Sequence, residues 1–260
     1  VVTDVAIGNG FVMAVLTDGK QVSWGRNEYG QLGLGSGNRE FRNKPKISDI
    51  VANSSHTGGG FVSICAGDQH CIGIARNGNI YTWGGNAKGQ LGDGFLNSCP
   101  TPQLLKQLSH RPIIAISCGE NHTLALTVGG QLFSWGANDR GQLGHGDTTH
   151  RLRPEPVRQL KAARTKAISA GKQHSCAISF AGALFSFGSN IYGQCGTGIN
   201  DNADSSICSL PRVVEKLRED GKKVVDVSCG NYHTIILVNI PADSSSGHGT
   251  NCVYVCGLNS

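Results

Sequence analysis

The stretch NHTLALTVGGQLFSWGANDRGQLGHGD, residues 121–147, contains no helix period. It alternates with a period of two around the pair Gly129-Gly130, through Leu124 and Leu126, then Gln131, Phe133 and Trp135. Alternation broken by paired glycines is the signature of a β-hairpin.

The same phrase recurs along the chain. An aromatic residue followed by glycine stands at Trp24-Gly25, Trp83-Gly84, Trp135-Gly136 and Phe187-Gly188, and the turns after them read NEYGQLGLG, NAKGQLGDG, NDRGQLGHG and NIYGQCGTG. Thirteen residues before each aromatic come Phe11, His70, His122 and His174, closing GNGF, GDQH, GENH and GKQH. A fifth copy opens with CGNYH at His233 and resumes at VYVCGLN, with Cys256 in the aromatic place and ten extra residues between. The unit is about fifty-two residues, and fixed offsets of this kind mark a repeat architecture. The repeats fall at about 5–50, 51–105, 106–160, 161–212 and 213–260, within a single domain spanning 1–260.

Each unit offers two or three strands and a weaker fourth near Pro102 to Leu105 or Pro156 to Leu160. A four-stranded antiparallel sheet cannot bury both faces alone, so such units stack as propeller blades or as a solenoid, and four strands in about fifty residues favour the propeller. With 37 glycines, 8 prolines and one methionine, the composition also suits short strands and tight turns. The fold expected is an all-β propeller with five recognisable repeats.

The joint recurrence of G-x-x-H, aromatic-Gly and G-Q-L-G resembles the regulator of chromosome condensation (RCC1-type) repeat family, and the likeness runs from Val5 to Asn259. The family implies a ring of seven four-stranded blades. Five copies, the last ending at GLNS before its own GQLG turn, imply either a piece of a larger ring or a divergent ring with fewer blades.

The formal charge of +5 comes from 23 basic and 18 acidic residues with no block of five like charges. That is too weak and scattered to argue nucleic acid or an acidic membrane by itself. No apolar stretch approaches the ~18 residues of a spanning helix. The opening VVTDVAIGNG lacks a charged segment before an apolar one, so a soluble chain without its native first residue is expected. Ten cysteines in a chain of this size read as buried free thiols rather than a disulfide framework. Cys65, Cys118 and Cys229 read as equivalent positions just before the inner glycine, lining a crowded core. Free thiols imply a reducing compartment, cytoplasm or nucleus.

The repeated side chains are expected to be structural. His70, His122, His174 and His233 belong to different blades, and a repeated polar residue at a strand start is expected to pair with neighbouring backbone. Cys118/His122 and Cys229/His233 have C-x3-H spacing, yet a zinc site wants four converging ligands. Trp24, Trp83, Trp135 and Phe187 are expected to pack between blades. No strand-loop-helix phosphate cradle, G-x-S-x-G elbow or H-E-x-x-H pair occurs, so neither a catalytic residue nor a metal or cofactor is assigned.

Partner recognition is therefore expected in the variable loops of one circular face. The two residues inside each G-x-x-H loop are Asn9 and Gly10, Asp68 and Gln69, Glu120 and Asn121, Lys172 and Gln173, and Asn231 and Tyr232. The family resemblance implies that loops here contribute to GTPase binding in the member that exchanges nucleotide on a Ran-type GTPase. That member uses an acid beside the histidine, whereas here Asp68 and Glu120 stand two residues before it and no exchange wedge precedes the GQLG turns. Extra length lies instead at Gly35 to Gly60, Ile199 to Ile207 and Pro241 to Asn251, read as exposed loops. The expected partner is a protein, a small Ras-superfamily GTPase first, with guanine-nucleotide exchange as its consequence. The alternatives are a non-catalytic adaptor, recruiting substrates to a ubiquitin ligase or kinase, and a chromatin-docking module. For the last, Arg151, Arg153, Arg158, Lys161, Arg164 and Lys166 form a basic run.

Overall fold

The computed structural model describes residues 1–260 except 36–38, 49, 51–58, 199–205, 220–221, 241–249 and 259–260. The first sheet holds β1 (Val2–Gly8), β2 (Phe11–Leu16), β3 (Gln21–Gly25) and β4 (Arg42–Ser48). The second holds β5 (Phe61–Ala66), β6 (His70–Ala75), β7 (Ile80–Gly84) and β8 (Cys99–Leu104), and the third β9 (Ile113–Cys118), β10 (His122–Thr127), β11 (Leu132–Gly136) and β12 (Arg151–Pro156). The fourth holds β13 (Thr165–Ala170), β14 (His174–Ser179), β15 (Leu184–Ser189) and β16 (Ile207–Val213), and the fifth β17 (Lys223–Cys229), β18 (His233–Ile240) and β19 (Thr250–Gly257). Within each sheet, spatial order follows chain order and neighbours are antiparallel. The fold is the all-β propeller type expected, with blades of four strands and a fifth of three.

The fourth strands sit earlier than the alternation suggests. β12 ends at Pro156, and residues 158–160 form a 3-10 turn in place of the strand expected to reach Leu160. Prolines at 154 and 156 are tolerated because β12 is an edge strand that pairs only with β11. The loop expected over Gly35 to Gly60 contains β4, and most of the remaining extra length lies outside the described residues.

Each core cluster lies between two successive sheets, which is why no single sheet is stable alone. Phe11, Met13 and Val15 meet Phe61, Tyr81 and Trp83, while Ile72, Ile74 and Ile80 meet Ile113, Phe133 and Trp135. Leu124 and Leu132 meet Ala177 and Phe187, and Cys176 and Ile178 meet Val224, Val227, Ile236 and Val238. Strands β6, β10 and β14 are buried along their whole length because another sheet covers each face.

The first strand of each sheet lines a common axis and is tied to the next. Ile64 N–H donates to Asp4 Oδ2 at 2.9 Å, Cys118 N–H to Cys65 Sγ at 3.1 Å, Ala170 N–H to Ser117 Oγ at 2.9 Å and Cys229 N–H to Ser169 Oγ at 2.9 Å. This corrects the expected equivalence of three cysteines. Cys65 precedes its glycine by two residues and shares the register of Ser117 and Ser169, whereas Cys118 and Cys229 precede theirs by one. Its sulfur acts as an acceptor between blades, in the place of a serine hydroxyl.

Candidate functional site

Most elements of the repeat phrase have an assigned bond or a steric role. His70 Nε2 lies 2.9 Å from Thr123 Oγ1, His122 Nε2 2.9 Å from Ser175 Oγ and His174 Nε2 2.9 Å from Thr234 Oγ1, each hydroxyl belonging to the next sheet. Those hydroxyls donate onward to the carbonyls of Gln90, Gln142 and Gln194 in the GQLG turns, at 3.0, 2.8 and 2.8 Å. A hydroxyl that spends its proton on a carbonyl must accept from the imidazole, which assigns the ring proton to Nε2. Nδ1 of these three rings is buried without a hydrogen-bond partner. Burial holds His70 and His122 at a pKa of about 3, so both are neutral.

The aromatic anchors close the same bridge: Trp83 Nε1 donates to Gln31 O at 3.0 Å and Trp135 Nε1 to Gln90 O at 2.9 Å. Phe187 fills the equivalent space without a donor and is fully buried. Phe11 replaces the first histidine, and there Cys71 Sγ donates to Gln31 O at 3.3 Å. Trp24 and His233, in the first and last sheets, are half-buried.

The glycine of G-x-x-H is a matter of space. A Cβ on Gly67, Gly119, Gly171 or Gly230 would run into the imidazole three residues later, and none of these glycines has left-handed backbone. The GQLG turn is fixed by its asparagine, whose Oδ1 accepts from Leu91 N–H at Asn86 and from Leu143 N–H at Asn138. Its glutamine caps the same turn, Gln142 Oε1 accepting from Arg140 N–H at 2.8 Å. The repeated polar residues thus hold blade to blade.

The loop residues divide into two rings. Asn9, Asp68, Glu120, Lys172 and Asn231, the first of each pair, converge around the axis on a concavity of about 450 Å³. Gln69, Asn121, Gln173 and Tyr232 stand outside its lining. Their carbonyls accept from the N–H groups of Gly85, Ala137, Ser189 and Leu258, which anchors the chain entering the turn. The expectation that both residues of each loop share one role is therefore refined: the first faces the axis, and the second braces it.

Bonds link successive members of the inner ring from Asn9 through Asp68 and Glu120 to Lys172. Asp68 N–H donates to Glu120 O and Glu120 N–H to Lys172 O, both at 3.1 Å. Gln173 Nε2 donates to Glu120 Oε2 at 3.2 Å, Asn9 Nδ2 reaches Asp68 Oδ2 at 3.5 Å, and Lys172 Nζ donates to Tyr232 Oη at 3.1 Å. The Tyr232 hydroxyl and the Glu120 carboxylate push the Lys172 pKa up, keeping it charged.

Sequence reasoning missed the outer part of this face. Tyr192 stacks edge-on against Tyr232 at 5.2 Å, and Lys88, Asp139 and His150 gather with Lys88 Nζ 3.9 Å from Asp139 and His150 Nε2 3.6 Å from it. The signal was present: the pair before GQLG varies as Glu28-Tyr29, Ala87-Lys88, Asp139-Arg140 and Ile191-Tyr192.

All ten cysteines are free, and among the described residues no group of three or more His, Cys, Asp or Glu is placed to hold a metal. The basic run does not form one stripe. Arg151 pairs with Asp147 at 2.7 Å and Glu155 at 3.0 Å, Arg164 lies over Phe180, and Lys166 donates to Val224 O.

Stacked meander sheets with a bonded, variable loop ring at one end define a protein-interaction β-propeller. The chain belongs to the RCC1-like domain family, whose profile matches residues 1–237. It is 28% identical over 249 residues to the human E3 ubiquitin-protein ligase HERC2, covering 95% of this chain and 5% of that protein. It is 32% identical over 250 residues to the Arabidopsis thaliana ultraviolet-B receptor UVR8, covering 96% of this chain and 54% of the receptor. Among solved structures, Prp20p from Saccharomyces cerevisiae superposes with a TM-score of 0.71 at 22% identity, over 88% of this chain and 54% of that one, a likeness of fold. No helix among the described residues is long and apolar enough to cross a membrane.

Proposed function

We propose that this chain is a recruiting module that docks a folded protein partner on the G-x-x-H loop face without covalent chemistry of its own. One observation carries the reading. Residues from five blades meet at one concavity, and four of them, Asn9, Asp68, Glu120 and Lys172, are already held there by bonds between blades, so less ordering entropy is left to lose on docking. Family membership beside HERC2 supports recruitment of substrates to a ubiquitin ligase as the partner class.

Nucleotide exchange on a small Ras-superfamily GTPase is the second reading, favoured by the likeness to Prp20p, which binds Gsp1p and histones. Exchange needs tighter binding to the nucleotide-free GTPase, which weakens nucleotide by the same factor. The acids on this face line a concavity and are engaged by Asn9 and Gln173, an arrangement that suits receiving a protrusion more than inserting one.

The test is affinity capture with the wild-type chain and with Glu120→Lys, each partner then being titrated directly. Recruitment predicts a partner bound by the wild type, at least tenfold weaker binding by Glu120→Lys, and unchanged release of a fluorescent guanine nucleotide across a GTPase panel. Catalysed release that Asp68→Lys or Glu120→Lys abolishes would replace recruitment by exchange. Equal binding by wild type and Glu120→Lys would move the docking site off this face.

A further inference from the structure

The end of the sheets opposite the G-x-x-H loops carries charge that the fold gathers from separate parts of the chain. Lys106 and Arg111 lie in the connection from β8 to β9, and Arg158, Lys161 and Arg164 in that from β12 to β13. All five are exposed, and none is ion-paired among the described residues. The surrounding sequence offers no neutralising acid: residues 94–119, 121–138 and 156–200 contain neither Asp nor Glu. Glu155, just outside, is engaged by Arg151 at 3.0 Å.

Two hairpin tips stand among these cations. Val128 follows β10 and Phe180 follows β14, and both are 60% exposed. Backbone bonds make the patch continuous: Val128 N–H donates to Pro112 O at 2.9 Å, Thr165 N–H to Gly130 O at 2.9 Å and Phe180 N–H to Arg164 O at 3.0 Å. The Arg111 guanidinium sits 5.1 Å from the Phe133 ring centroid and that of Arg164 5.5 Å from the Phe180 ring centroid, so both cations are placed by packing. The equivalent tip positions in the first and second sheets are Thr17 and Arg76, so the apolar tips occur where the cations concentrate.

We infer that this end of the third and fourth sheets is a docking surface for an anionic lipid bilayer. Cations alone would suit any polyanion. Projecting apolar tips on tight, bonded hairpins gain from insertion at the headgroup and acyl boundary, whereas a nucleic-acid backbone offers them nothing apolar. The surface lies at the far end from the loop concavity, so a chain lying on a membrane would keep its protein-docking face turned to solvent.

The experiment uses the 260-residue chain with phosphatidylcholine vesicles, plain or containing roughly one third phosphatidylserine. Cosedimentation is expected with the anionic vesicles only and is expected to be reversed by salt. The double variant Arg158→Gln, Lys161→Gln should lower partitioning about thirtyfold, whereas Arg26→Gln at the other end should leave it unchanged. Phe180→Ser should weaken binding while keeping its salt dependence, and the emission of Phe180→Trp should shift to the blue on anionic vesicles alone. Failure to sediment overturns the inference, as does sedimentation that leaves the Phe180→Trp emission unmoved. Preferential binding to a DNA duplex that ignores Phe180→Ser would assign the surface to nucleic acid instead.

Discussion

At the scale of the residue, the histidine of each repeat is defined by what it cannot do. His122 is buried and neutral, donates from Nε2 to Ser175, and leaves Nδ1 without a partner. Ser175→Ala strands both the His122 N–H and the Gln142 carbonyl, each at a desolvation penalty of about 1–3 kcal/mol. The first interface shows another stable solution, Phe11 with Cys71. His122→Phe combined with Ser175→Cys should therefore recover stability relative to Ser175→Ala, as read by urea unfolding of the set. Acid provides a second measurement. The folded pKa of about 3 for His70 and His122 lies below the unfolded value of roughly 6.5. The unfolded chain therefore binds the extra protons, so the stabilisation is complete above pH ~6.5 and is lost as pH falls towards 3, at about 1.4 kcal/mol per pH unit for each ring. Unfolding free energies at pH 7, 5 and 4 should show a shallower acid slope in His122→Gln. This histidine was legible in the sequence as a repeated polar residue, but its partner was not. The bonded hydroxyl lies 53 residues away on the next sheet, and nothing local in GENH indicates it.

At the scale of the element, the hairpins were readable because alternation, paired glycines and the GQLG turn are local signals. The fourth strand was misplaced because β12 is an edge strand rich in proline and arginine, and its half-exposed pattern gives no clear period. The two-ring division of the loops was also hidden, since it depends on how hairpins converge around an axis. The aromatic anchor shows what one element asks of its neighbour. Trp135 is fully buried and donates to a carbonyl that Thr123 also serves, while Phe187 does the same packing without a donor. Trp135→Phe should cost about 1 kcal/mol for the lost hydrogen bond. Trp135→Ala should cost about 3–5 kcal/mol for the cavity. Thermal unfolding of both variants separates filling from bonding; equal losses would mean that the ring's volume contributes little to the blade interface.

At the scale of the whole molecule, each sheet is a slab with two apolar faces, and the stack is stable because neighbours cover them. Among the described residues, the fifth sheet has one such neighbour, the fourth. Val224, Val227, Ile236 and Val238 are buried against the fourth sheet, while Val225, Ile235, Val253 and Val255 are exposed on the other face, the last two at 64% and 66%. Alternation along β19 makes this unavoidable, because moving its register by one residue would expose the buried set instead. A contiguous apolar sheet face next to an edge strand is a surface for self-association. The 260-residue chain should thus show concentration-dependent light scattering, and Val253→Lys with Val255→Lys should suppress it. The buried face is untouched by these changes, so the unfolding midpoint of the dilute protein should shift little. If scattering persisted in the double variant, the adhesive surface would have to lie elsewhere, and the exposed Val2, Val5 and Ile7 on the first strand would be the next to alter. The same logic separates the two ends of the molecule from its flank. The loop ring and the basic end are polar surfaces with apolar contacts confined to a few residues, so their binding should respond to single charge changes. Association through the fifth sheet should respond to apolar area and strengthen with added sulfate.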